Sequence, residues 1–103
     1  MVFIETPTFT RQIVALISDE EYGRFQQALA ANPEMGDLLK GGGGIRKVRW
    51  AGSGTGKSGG IRSIYFWKKA EDQIFMLLAY PKSAKDTLTD QETAILRKLV
   101  KEL

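Results

Sequence analysis

The sequence predicts an α+β domain in the order β-α-α-β-β-β-α, a small curved and largely antiparallel sheet with helices packed against it. Three observations carry this reading. Apolar residues recur at helical spacing near both ends of the chain. Three runs rich in β-branched and aromatic residues lie between them. A helix-capping signature precedes each helical stretch. With 103 residues there is enough chain for one core, so residues 1–103 are read as a single domain.

The elements follow in order. Residues 2–6 hold Phe3 and Ile4 in a short strand that ends at Pro7. Thr6 and Pro7 suit an N-cap and a first helical position, and Phe9, Ile13, Leu16 and Ile17 then recur at helical spacing. Ser18 and Glu21 frame a capping box, after which Tyr22, Phe25 and Leu29 share one face of a second helix stopped by Asn32-Pro33. Residues 45–51, 61–69 and 73–80 read as strands. Glu71-Asp72 is a tight turn that makes the last two an antiparallel hairpin. Thr89 and Glu92 form a second capping box, and Leu96, Leu99, Val100 and Leu103 give the apolar stripe of a closing helix.

Composition excludes several kinds of chemistry. The chain has no cysteine and no histidine, so disulfides, thiolate catalysis and the commonest metal ligands are absent, and no metal or cofactor is expected. No apolar run approaches the roughly 18–20 residues that span a bilayer, and no leader pattern opens the chain, so a cytoplasmic protein is expected.

The net charge of +3 hides an asymmetry. Residues 38–70 carry eight cations (Lys40, Arg46, Lys47, Arg49, Lys57, Arg62, Lys68 and Lys69) and no acid, while both flanking segments are net negative. Such a stretch repels itself unless a polyanion sits against it; a solvated basic face is the plainer alternative. Nine of the eleven glycines fall between Gly41 and Gly60, as two turns around the 45–51 strand. Alternation along that strand puts Val48 and Trp50 on the core side and Lys47 and Arg49 on the open side, about 7 Å apart. Two strand cations can also simply discourage edge pairing. Arg62 opens the next strand, just past the glycine loop that carries Lys57. Tyr80 reads either as a stacking surface for a base or as an aromatic at the edge of the core.

Ala51 to Ser58 satisfies a loose phosphate-loop pattern, but that mechanism needs a helix directly after the lysine, and Ile61 instead begins a strand. What remains is a cationic, glycine-rich flap suited to closing over a phosphate.

Three stretches together resemble a known family: Leu39-Lys-Gly-Gly-Gly-Gly-Ile-Arg-Lys-Val-Arg, Gly-Thr-Gly-Lys-Ser-Gly-Gly-Ile-Arg-Ser-Ile-Tyr-Phe, and Leu-Leu-Ala-Tyr-Pro-Lys. They are similar, over nearly the whole chain, to the HigB-type branch of the RelE/ParE bacterial toxin superfamily. The resemblance implies a ribosome-dependent endoribonuclease that cuts messenger RNA in the A site of the small (30S) subunit by metal-free attack of the ribose 2′-hydroxyl. It also implies a cognate antitoxin, usually with a helix-turn-helix domain. By matched position, Lys47, Arg49, Arg62 and Lys57 fall on the family's catalytic cations. Arg46, Lys40, Tyr80 and Lys82 are expected RNA contacts around them. The late catalytic tyrosine or histidine of many relatives has no counterpart, since no tyrosine follows Tyr80.

Those side chains suit part of the chemistry. Arginine stays protonated and grips phosphate oxygens bidentately, so Arg49 and Arg62 are charge clamps. A lysine base at neutral pH needs cationic neighbours that disfavour its charged form, which Arg46, Arg49 and Arg62 supply to Lys47; catalysis by electrostatics and positioning alone is the rival. Two other functions on the same fold stay open: a non-catalytic inhibitor of DNA gyrase, as in the ParE branch, and an inactive RNA-binding relative.

Overall fold

The computed structural model describes residues 1–51, 60–85 and 87–103. The chain runs β1 (Val2–Glu5), α1 (Pro7–Leu16), α2 (Asp19–Ala31), β2 (Asp37–Leu38), β3 (Ile45–Trp50), β4 (Ile61–Lys68), a single 3₁₀ turn (Lys69–Glu71), β5 (Gln73–Pro81) and α3 (Asp90–Lys101). The five strands form one open, uncurled sheet in the order β1-β5-β4-β3-β2. β1 runs parallel to β5 and every other pair is antiparallel, so the α+β class read from the sequence holds.

β2 is the addition. Two residues long, it has no alternation to read, and it exists because other residues hold the segment before it. The buried Tyr65 hydroxyl donates to the Pro33 carbonyl (2.7 Å) and accepts from Gly36 N–H (3.0 Å), while Arg46 donates to the Gly36 carbonyl at 2.7 Å. Glycine is needed at position 36, where an added Cβ would stand 2.9 Å from the Lys47 carbonyl and 3.0 Å from the Tyr65 ring.

Helix starts follow the capping signals. Thr6 accepts from Phe9 N–H at 3.0 Å and donates to the Leu77 carbonyl at 2.8 Å, so the same hydroxyl caps α1 and ties it to β5. At α3 the Thr89–Glu92 capping box is complete. At α2 only half of the expected box forms. Ser18 accepts from Glu21 N–H, but the Glu21 carboxylate turns inward and accepts from Trp50 Nε1 (2.8 Å) and Arg24 (2.8 Å). The carboxylate has a better use there, joining α2 to the end of β3, where Trp50 also packs on Phe25 with ring centroids 5.1 Å apart. Trp50→Phe keeps the ring contact and removes the indole donor from a buried carboxylate. It is expected to cost about 1–3 kcal/mol, read as a lower urea midpoint; an unchanged midpoint would show that the bond contributes nothing.

The sheet is covered on both faces. One face carries Val48, Ile61, Tyr65, Ile74, Met76 and Ala79 against Phe9 and Ile13 of α1 and Phe25 and Leu29 of α2. The other carries Ile45, Ile64, Leu77 and Tyr80 against Leu88 and the α3 residues Leu96 and Val100. The second face is therefore not open along its whole length, and α3 closes part of it. The α3 stripe is narrower than its sequence spacing implies: Leu96 and Val100 are buried and Leu103 packs beside them, but Leu99 lies at the margin, 39% exposed. Leu88, from the loop before the helix, completes that core.

Candidate functional site

Strand register decides which side chains meet. Arg49 of β3 stands directly opposite Arg62 of β4, and Arg62 stands directly opposite Tyr80 of β5. One step along, Lys47 is opposite Ile64, and on its other side it pairs with Asp37 of β2. Directly opposed residues in a sheet share a face, and so do residues two apart on one strand. Lys47, Arg49, Arg62 and Tyr80 are therefore together on one face, the one that α3 partly covers. Val48 lies in the opposite core, with Trp50 packed against it, as alternation required.

Placing Arg49 opposite Arg62 is costly. Like charges directly across a strand pair destabilise a sheet, and Arg62 is only 4% exposed, which sharpens the repulsion. Arg49 is exposed and, among the described residues, its guanidinium makes no hydrogen bond or ion pair. A row of this kind is relieved by an anion, and two adjacent guanidiniums offer forked donors that match a phosphate.

Not every expected residue joins the row. Arg46 points to the other face, where it is spent on the Glu34 and Gly36 carbonyls and on the Glu34 carboxylate at 3.6 Å. It is a fastener for the segment before β2, and it does not share a face with Lys47. Tyr80 is 6% exposed within the α3-side core, so of its two readings the structure shows the core aromatic rather than an open stacking surface. Lys82 is exposed in the turn after β5, its N–H donating to the Gly60 carbonyl at 3.4 Å. Lys40 is exposed in the β2–β3 connection, at the end of β3 away from Arg49. The expectation for Lys57 lies outside the described residues.

One cation was missed. Lys85, in the loop between β5 and α3, places its ammonium 5.2 Å from the centre of the Tyr80 ring and donates to Glu92 at 2.5 Å. It therefore stands one strand over from Arg62. Its segment is close to neutral in sequence, and no local pattern links Lys85 to a strand end five residues earlier; only the return of the chain over β5 shows it. The Lys85 ammonium first, and the Thr89 N–H after it, hold the Glu92 carboxyl below the usual glutamate range, so Glu92 is ionised at neutral pH. Asp37, opposite Lys47, is the other acidic residue this register adds.

Among the described residues no three acidic, histidine or cysteine side chains gather as a metal cluster, and no helix is long and apolar enough to cross a membrane.

A family model, the RelE toxin of the RelE/RelB toxin–antitoxin system, matches residues 4–103. The chain belongs to the RelE toxin family. It is accordingly a toxin of a toxin–antitoxin system, and RelE membership implies a cognate antitoxin as partner. The RelE match runs from β1 through α3 and so takes in every element that builds the arginine row.

Proposed function

We propose that this toxin is a metal-independent, ribosome-dependent mRNA endoribonuclease of the HigB-type branch, working in the bacterial cytoplasm as one domain over residues 1–103. Its antitoxin carries a helix-turn-helix domain. The observation that carries the reading is the cross-strand Arg49–Arg62 pair with Lys47 on the same face. Such a cluster suits a reaction in which negative charge grows on a phosphate and little else is required of the protein.

The ribose 2′-oxygen attacks the adjacent phosphorus, its bond to phosphorus forms, and the bond to the 5′-oxygen breaks. The products are a 2′,3′-cyclic phosphate and a 5′-hydroxyl. Arg49 and Arg62 hold the non-bridging oxygens, which is worth about 2.7–4 kcal/mol of transition state per donor. Lys47 is assigned the 2′-hydroxyl proton, and the leaving 5′-oxygen takes its proton from solvent water. The A site of the ribosome supplies the bend that brings the attacking oxygen in line with the leaving one, which explains why a face with so few proton-transfer groups suffices.

In vitro translation with primer extension on the mRNA tests this. The expected result is cleavage within A-site codons, with none on the same mRNA without ribosomes. Intact mRNA together with inhibited gyrase supercoiling would replace the reading with a ParE-type inhibitor. Binding to RNA with neither effect would leave an inactive relative.

A further inference from the structure

Glu92 has two bonds with different purposes. One carboxylate oxygen accepts from Thr89 N–H at 2.8 Å and completes the capping box of α3, while the other accepts from the Lys85 ammonium at 2.5 Å. The helix cap fixes the carboxylate, and the carboxylate with the Tyr80 ring fixes Lys85. Lys85 thereby joins the Arg49–Arg62–Tyr80 row from the β5 side, while its side chain and that of Glu92 stay 34% and 36% exposed.

We infer that Glu92 is the resident counter-ion of the phosphate site, occupying Lys85 when no RNA is bound and giving it up to an incoming phosphodiester. This rests on the proposal that the arginine row takes RNA phosphate. An exposed ion pair contributes little to stability, so the exchange is cheap. A phosphodiester brings the same single charge and gains the two guanidiniums besides, whereas Glu92 keeps its helix cap and its access to water. Without RNA the carboxylate offsets one cation of a cluster that already sets Arg49 against Arg62. With RNA it is a competitor that weakens binding.

The test is a double-mutant cycle on the full chain with a fluorescent 2′-O-methyl RNA oligonucleotide, which cannot be cleaved, so that binding is read apart from any nuclease activity. Gln serves in a capping box as Glu does, so Glu92→Gln preserves the helix start and removes only the charge. Glu92→Gln is expected to tighten binding about two- to fivefold, the scale of an exposed ion pair. Lys85→Met is expected to lower the slope of log affinity against log salt by about 0.7, one single-strand phosphate contact. In the Lys85→Met background, Glu92→Gln should lose its effect. If Glu92→Gln leaves affinity unchanged, or tightens it equally with and without Lys85, the counter-ion role is wrong. Failure of the cycle in a toxin that still cuts A-site codons overturns this role alone; an intact cycle in a toxin that cuts nothing overturns only the nuclease.

Discussion

Replacing Arg62 with Met is expected to slow A-site cleavage about 10²- to 10³-fold while leaving the fold in place. Arg62 is the middle of the row, opposite Arg49 on one side and Tyr80 on the other. Its stem is buried, at 4% exposure, so truncation to Ala would confound lost charge with lost packing; Met keeps most of the apolar volume and removes the guanidinium. Removing it also ends the like-charge opposition with Arg49, which offsets part of whatever packing is lost. The measurement is single-turnover cleavage on programmed ribosomes, paired with a urea titration of the free toxin. A variant that folds and cuts at the wild-type rate would remove Arg62 from the site.

Gly60→Ala is expected to be the most damaging single methyl in the neighbourhood of the site. Gly60 holds φ +56°, in the left-handed region, and an added Cβ would lie 2.2 Å from the Trp50 carbonyl oxygen and 2.7 Å from Ala51 Cα. Those are backbone atoms with no rotamer to yield. The left-handed conformation costs about 1–2 kcal/mol with a side chain, and the overlap adds about 1–3 kcal/mol. The effect reaches function because Gly60 precedes Ile61, whose pairing with Trp50 sets the register that puts Arg62 opposite Arg49. The check is a fall in urea midpoint together with a fall in cleavage; wild-type stability would mean that the backbone around Gly60, Trp50 and Ala51 yields to the added methyl.

Much of this molecule was legible in the sequence because its local signals and its tertiary packing agree. Thr6, Ser18 and Thr89 cap the helices they announce. Alternation in β3 sorted Val48 from Lys47 and Arg49 correctly, because a period of two has only two outcomes. What the sequence hid are choices that depend on the third dimension. Arg46 looked like a third member of the cationic run, yet one position along a strand is the opposite face, and there the Gly36 and Glu34 carbonyls claim it. Glu21 fitted a capping box, but Trp50, 29 residues away, offered its carboxylate a buried donor. Leu99 fitted the α3 stripe, though the helix buries a strip only wide enough for Leu96 and Val100, with Leu103 partly buried beside them. Lys85 belongs to the row through the path of a loop, and no residue pattern encodes that path.

In the proposed function, Arg49 and Arg62 together hold phosphate on the α3-side face. Side-chain guanidinium NMR tests this directly. With 2′-O-methyl RNA added, the Nε–Hε signals of Arg49 and Arg62 should shift in parallel along one binding curve, while that of Arg46, fastened on the other face, stays still. Movement of Arg46 with Arg49 and Arg62 silent would place the RNA on the other face of the sheet and overturn the proposed site.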